Sequence, residues 1–427
     1  FGADGIVGPH HEKEGSFYTI KQLWSPVQIM NTSIDKQFDG KFSVENRYDY
    51  LNLNTCRFLW KQVKFPTATD TSNTTTQVLK EGEVQGSDVA AHSTGILDIK
   101  TTILPNADAL FLTAIDKYGH ELWRWTFPVD KLNQTNEVFS PLSGKATYSE
   151  TENELTVKAK NHTFIFSKRD GQLKGVSVNN HKISFANGPR FIGARRADRS
   201  LDQFYNHDDE KAKEKDRTYS EFPDAAVFTK LEVKEDGGNL IVTANYKLGN
   251  LDKAQWTINP NGEAALDYTY NFSGVVDLIG ISFDYPEDQV ISKRWLGAGP
   301  YRVWQNRIHG TQYDVWENDY NDPIPGETFT YPEFKGYFDS VSWMNIRTKE
   351  GTISLTNETP DSYIGVYQPR DGRDRLLYTL PESGISVLDV IPPVRNKVNS
   401  TDLCGPSSQP KWVNGPQTGR IIFRFME

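Results

Sequence analysis

The sequence predicts an all-β chain made of two successive sandwiches, and three observations carry that reading. Aromatics are 12% of the 427 residues, with 23 Phe, 19 Tyr and 10 Trp against 3 Met, a balance that suits pleated, half-buried surfaces better than helical bundles. Apolar and polar residues alternate with period two along most of the chain, as in strands that bury one face. Convincing helical spacing is confined to one short stretch.

That stretch, residues 16–25, sets Phe17, Ile20 and Trp24 on one helical face, and Pro26 forbids continuation. Period two then takes over. Phe42, Val44 and Tyr48 lead into LNLNTCRFLWKQVKF, and Trp123, Trp125 and Phe127 alternate with Leu122, Arg124 and Thr126. Between residues 31 and 140 the polar turns PTATDTSNTTT, GEVQGSDVAAHSTG and LPNADA separate such runs, as expected of an immunoglobulin-like β-sandwich. A boundary follows near FSPLSGKATYSE. In the second region, 146–427, Leu240, Val242, Ala244, Tyr246 and Leu248 share one face, as do Ala264, Leu266, Tyr268, Tyr270 and Phe272. The chain closes on Ile421, Phe423 and Phe425 against Arg420 and Arg424. A region this long without helical punctuation reads as a large two-sheet sandwich. The charged stretch NHDDEKAKEKDR (206–217) reads as a solvated loop or exposed helical turn.

Charge and composition then exclude function classes. A net charge of -9 and a pI near 5.5 argue against nucleic acid or an anionic membrane, which need a clustered basic face. No apolar run approaches the roughly 20 residues of a membrane span. Cys56 and Cys404, the only cysteines, rule out a zinc cluster or a disulfide framework and leave one bridge open. His10, His11, Glu12 and Glu14 are neighbours in a loop, where side chains rarely converge on one metal ion. GAGPYR (297–302) lacks phosphate-binding spacing and reads as a tight turn. No G-x-S-x-G, H-E-x-x-H or Cys/His dyad occurs. The carboxylate pairs Asp198/Asp202, Asp208/Asp209 and Glu327/Glu333 read as surface pairs, since a glycosidase pair is defined by its separation in space.

Aromatics say more. WLGAGPYRVWQNRIHGTQYDVWENDYND holds three Trp and three Tyr among Arg, Asn and Asp, a mix that either stacks on sugar rings or packs on itself. In DLCGPSSQPKW (402–412), Trp412 follows Gly, Pro and Ser residues that cannot bury it locally, making it a platform if exposed and a plug if buried.

Several of these stretches, in order, resemble the C-terminal part of the bacterial β-galactosidases among the family two glycoside hydrolases. FGADGIVGPHHEKEGSFYTIKQLWSPVQI (residues 1–30 as a segment) looks like that family's exit from its catalytic (β/α)₈ barrel. VENRYDYLNLNTCRFLWKQV resembles the strand pair opening its fourth, immunoglobulin-like domain. RWLGAGPYRVWQNR aligns without a gap to the "W-L-G-x-G-P-x-E-N-Y-x-D-R" signature of the fifth domain, and TYPEFKGY to its "y-x-x-P-x-E-x-G" strand. The chain departs from the pattern where Glu-Asn-Tyr becomes Arg302, Val303 and Trp304, and where "R-A-P-x-D-N-D" becomes GARRADRSLD (193–202), so galactose as the sugar is open.

The resemblance implies a super-sandwich shared with galactose mutarotase over 146–427. It implies two catalytic glutamates on barrel strands that lie before this chain, so no residue here is assigned as catalytic. It also implies that a Trp on the last long loop lines the barrel's sugar site, which makes Trp412 the expected substrate contact. The expected partners are the barrel, on the same or another polypeptide, and a galactoside or related glycan, with homo-oligomerisation of the full-length enzyme in view. No cofactor is called for, and a structural cation stays open. A freestanding carbohydrate-binding module is the main alternative; an aldose mutarotase would need a positioned His and carboxylate that no motif supplies. Seven Asn-x-Ser/Thr sequons (31, 73, 133, 161, 271, 357 and 399) read as compositional, and the compartment expected is periplasmic or otherwise extracytoplasmic.

Overall fold

The structure is a computed structural model that describes residues 6–7, 11, 13, 15–70, 74–129, 144–196, 219–319, 336–359, 361–366, 381, 383–393 and 405–427. It divides into two compact units. One comprises Phe1–Asn136, Leu296–Tyr301 and His309–Trp316; the other comprises Glu137–Trp295, Arg302–Ile308 and Glu317–Glu427. The all-β class predicted by the alternation is the class observed, with α1 (Gly15–Leu23) the one α-helix among the described residues. No described helix is long and apolar enough to cross a membrane.

The first unit is a sandwich. Its strands are β1 (Val27–Ile29), β2 (Lys41–Asn46), β3 (Arg57–Lys64), β4 (Gln77–Gln85), β5 (Ser93–Asp98), β6 (Ala109–Ile115) and β7 (Glu121–Pro128). They form a sheet ordered β1-β2-β5 and another ordered β4-β3-β6-β7. Alternate residues turn inward: Phe42 and Val44 from β2, Phe58 and Trp60 from β3, Leu110 and Leu112 from β6, and Phe127 from β7 make one core. The Phe42 and Phe127 rings lie 4.9 Å apart across it. Cys56 is a buried free thiol at the start of β3, so the single bridge left open by the sequence does not form in this structure.

Helix α1 is held by polar contacts as much as by packing. Thr19 Oγ1 donates to the His309 carbonyl (2.9 Å), Gln22 Oε1 accepts the Gly310 N–H (2.6 Å), and Lys21 pairs with Glu121 at 2.7 Å. None of its residues is fully buried. The face predicted from Phe17, Ile20 and Trp24 therefore closes only in part: the helix ends at Leu23, and Trp24, beyond that end, is 78% exposed.

The strands of the second unit begin with β8 (Thr147–Glu150), β9 (Glu154–Ala159), β10 (His162–Ser167), β11 (Leu173–Val178), β12 (His181–Ile183), β13 (Ala186–Arg196) and β14 (Tyr219–Glu221). Next come β15 (Val227–Asp236), β16 (Asn239–Lys247), β17 (Leu251–Ile258), β18 (Ala264–Val276) and β19 (Leu278–Asp284). The series ends with β20 (Val290–Gly299) and β21 (Gln312–Asp319), of which residues 296–299 and 312–316 count with the first unit, then β22 (Trp343–Thr348), β23 (Gly351–Asn357), β24 (Tyr363–Gly365), β25 (Ile385–Val390) and β26 (Lys411–Met426). One sheet runs β24-β25-β19-β13-β11-β10-β9-β8, with β12 paired to β11 and β14 to β13; the other runs β15-β16-β17-β18-β26-β23-β22-β20-β21.

Between these sheets lies an aromatic core. Phe164, Phe166, Phe185 and Phe283 meet Trp256, Phe423 and Phe425, with Phe185 stacked 4.5 Å from Phe283 and 5.1 Å from Phe423. The long strands β18 and β26 pair antiparallel from Ala264↔Phe423 to Val276↔Lys411. Leu240, Val242 and Ala244 are buried as their alternation predicts, but Leu248 is not: β16 stops at Lys247, and Leu248, at φ 57°, enters a turn and is 73% exposed.

Candidate functional site

Two of the three tryptophans in the Trp-rich stretch are structural. Trp295 and Trp304 are buried; Trp295 meets Phe338 edge-on at 4.9 Å and Trp304 meets Tyr337 at 5.5 Å. The sugar-stacking alternative is thereby corrected for these two rings, because each has its apolar surface covered by another ring. Their packing has a positional consequence. It fixes the short segment 302–308, from which Gln305 and Asn306 project.

Gln305, itself buried, donates from Nε2 to the carbonyls of Ser407 (2.8 Å) and Gln409 (2.7 Å). Its main-chain N–H donates to Pro392 O at 3.1 Å, and Asn306 Nδ2 donates to the buried Ser408 Oγ at 2.8 Å. The Gln305 amide thus satisfies two carbonyls that face it, while Ser408 N–H and Gln409 N–H turn back within the loop to the Gly405 and Pro406 carbonyls. Gly405 precedes the turn at φ 91°, a left-handed conformation that glycine adopts without a Cβ clash, and Pro406–Ser408 form a single 3₁₀ turn.

The braced loop delivers Trp412. It stands opposite Val275 near the start of β26, with its neighbour Val413 buried on the other face and its own side chain 68% exposed. Burial of so large an exposed apolar ring against a partner would return about 1.5–3 kcal/mol. Of the two roles the sequence left open for Trp412, its exposure fits the platform.

One other group is electrostatically distinctive. The Tyr270 hydroxyl on β18 donates to the carboxylate of Asp389 on β25. Burial pushes the Asp389 carboxyl above the usual carboxylate range, with the Tyr270 bond opposing it. Burial and the adjacent carboxylate push Tyr270 up in turn. The pair ties the two sheets together.

The carboxylate pairs Asp198/Asp202, Asp208/Asp209 and Glu327/Glu333 lie outside the described residues, as do His10, Glu12, Glu14, Cys404, the charged stretch 206–217 and residues 330–335 of TYPEFKGY. Of GARRADRSLD, only 193–196 fall within them, on β13. Among the described residues no three His, Cys, Asp or Glu side chains are grouped to hold a metal ion. Sequence reading missed Gln305 and Asn306 as supports, although both sit inside the RWLGAGPYRVWQNR signature. Amide side chains carry no periodicity, and their partners are distant in sequence.

Residues 158–380 match the model of a family described as beta galactosidase small chain. No curated protein matches the chain. Among solved structures, a putative mutarotase (YeaD) from Salmonella typhimurium aligns at 10% identity and a TM-score of 0.30, covering 69% of this chain and 99% of that one. The protein HI1317 aligns at 8% identity and a TM-score of 0.31, covering 66% and 99%.

Proposed function

Because the chain belongs to the beta galactosidase small chain family, we propose that it is a non-catalytic portion of a β-galactosidase-like retaining glycosidase, working with a catalytic barrel on the same or a partner polypeptide and supplying Trp412 to the sugar site. The observation that carries the reading is the exposure of Trp412 on a loop braced by Gln305 and Asn306. A hexopyranose has an apolar face that a tryptophan can cover, while its hydroxyls are left to polar groups elsewhere in the site. The two glutamates of a retaining mechanism belong, on this reading, to the barrel.

Two measurements test it. The chain alone does not turn over a nitrophenyl β-galactoside; turnover would overturn the non-catalytic assignment. In the enzyme that includes the barrel, Trp412→Ala raises KM about tenfold with kcat changed less, the signature of lost uniform binding. An unchanged KM would remove Trp412 from the site. The same exposed ring favours one second reading, a freestanding carbohydrate-binding module. That reading requires the isolated chain to bind a galactoside through Trp412, which calorimetry on wild type and Trp412→Ala decides.

A further inference from the structure

A second concavity lies well away from Trp412. Trp412 is opposite Val275, three residues before β19 begins, whereas Asp284 closes β19 about 20 Å of extended strand further on. Here two cavities, of about 460 and 440 Å³, meet along the sheet that contains β13 and β19, and both are lined by Arg190 and Asp284. Neither is lined by Trp412. Each is of the size in which small organic ligands sit.

We propose that this double groove binds a neutral oligosaccharide, with Arg190 and Asp284 at the junction between adjacent sugar units. Three features of the lining support that ligand class. The first is a fixed donor and acceptor pair. Arg190 Nη1 donates to Asp284 Oδ1, and Asn187 Nδ2 donates to Asp284 Oδ2 at 2.7 Å. One protein bond at each oxygen leaves further lone pairs on the carboxylate, which is 46% exposed. A sugar hydroxyl, both donor and acceptor, can bridge such a carboxylate and a guanidinium, and vicinal hydroxyls match their planar geometry.

The second feature is charge balance. Asp284 is neutralised by Arg190, and the nearby carboxylates are engaged by protein donors. Asp224 accepts the N–H groups of Phe191 (3.4 Å) and Ala226 (3.2 Å). Glu350, behind the first cavity, accepts Ser184 N–H (2.9 Å), Ser184 Oγ–H (2.6 Å) and the Tyr285 hydroxyl (3.2 Å). With Glu221 and Glu287 also in the walls, the lining holds more carboxylates than cations among the described residues, which disfavours phosphorylated or uronic sugars. The third feature is apolar wall: Pro286 in one cavity, and Phe222, Pro223 and Pro381 in the other, offer faces for pyranose C–H groups.

Calorimetry on the full 427-residue chain tests the proposal with cellotriose, xylotriose and β-1,4-galactotriose as neutral probes, trigalacturonic acid as the anionic probe and spermine as the cationic one. At least one neutral trisaccharide binds; its affinity falls about tenfold or more in Arg190→Gln and in Ser383→Trp, and stays within about twofold in Trp412→Ala. Ser383 lines the first cavity, so its replacement by Trp obstructs the groove while leaving the Arg190–Asp284 pair in place, which decides the matter if Arg190→Gln misfolds. The proposal falls if no neutral trisaccharide binds, if trigalacturonic acid or spermine binds more tightly, or if Ser383→Trp binds as wild type does. Loss of all binding in Trp412→Ala alone would assign the sugar to the Trp412 platform instead.

Discussion

Asp389 is a residue whose chemistry departs from its setting in water. Its carboxyl is half-buried and takes a hydrogen bond from Tyr270, and the burial dominates, so the folded chain holds the proton to higher pH than the unfolded chain does. Between about pH 4, where an unfolded Asp loses its proton, and the raised folded value, the native state binds more protons than the unfolded one. Linkage then makes stability fall as pH rises across that window and level off above it. Asp389→Asn keeps an acceptor for the Tyr270 hydroxyl and removes the titration. Urea melts from pH 4 upward are expected to show the wild-type decline and a flatter curve for the variant. Parallel curves would mean that Asp389 ionises at no extra cost.

Gly262 presents a steric case at the same scale. At φ +87° it closes the turn between β17 and β18, and a Cβ there would lie 2.1 Å from His162 Nδ1. The His162 ring is itself held through Nε2 by Phe425 O at 2.8 Å, so it cannot retreat without giving up a buried contact. Gly262→Ala is expected to destabilise the second unit by more than about 1 kcal/mol, combining left-handed strain with displacement of the ring. Thermal melting reads this directly.

At the scale of elements, the Gln305 clamp makes the sharpest prediction. Gln305→Leu fills the same space but leaves the Ser407 and Gln409 carbonyls without their donor, at a cost of about 1–3 kcal/mol. Because the lost bonds belong to one loop, hydrogen exchange and proteolysis are expected to accelerate at residues 405–410 before they change in the β18–β26 ladder. Uniform acceleration would show instead that the loop unfolds only with the whole sheet. What the sequence reveals follows the same division between local and distant contacts. α1, β16, β18 and β26 are legible because alternation or helical spacing is written into consecutive residues. Leu248 and Trp24 mislead because each continues a pattern just past the turn that ends its element. The clamp was invisible for another reason: Gln305 and the Ser407 carbonyl are 102 residues apart, and Arg190 and Asp284 are 94 apart. No local spacing encodes such meetings. Trp412 could be singled out because its small, turn-forming neighbours left it nothing local to pack against.

For the molecule as a whole, the second unit depends on an aromatic seam that both sheets share. Phe283 on β19 touches Phe185 from the link between β12 and β13, and Trp256 and Phe423 from the opposite sheet, with centroids 4.5, 6.0 and 5.5 Å away. Removing its ring would open a cavity bounded by large, rigid side chains that cannot collapse into it, so Phe283→Ala is expected near the upper part of the range for such truncations, about 3–5 kcal/mol. A domain has only about 5–15 kcal/mol of net stability, so this one change would take a large fraction of it. Phe283→Leu retains most of the volume and is expected to cost well under half as much. The pair of variants also bears on function. β19 carries Asp284 at its end, and Phe283 is the preceding residue, so a loosened seam should weaken oligosaccharide binding in the Arg190–Asp284 groove before it alters the clamp at Trp412. Denaturant midpoints for both variants, measured beside their affinity for the bound trisaccharide, test this coupling: equal midpoints would show that the seam is not what holds the sheets, and unchanged affinity in Phe283→Ala would show that the groove is positioned without it.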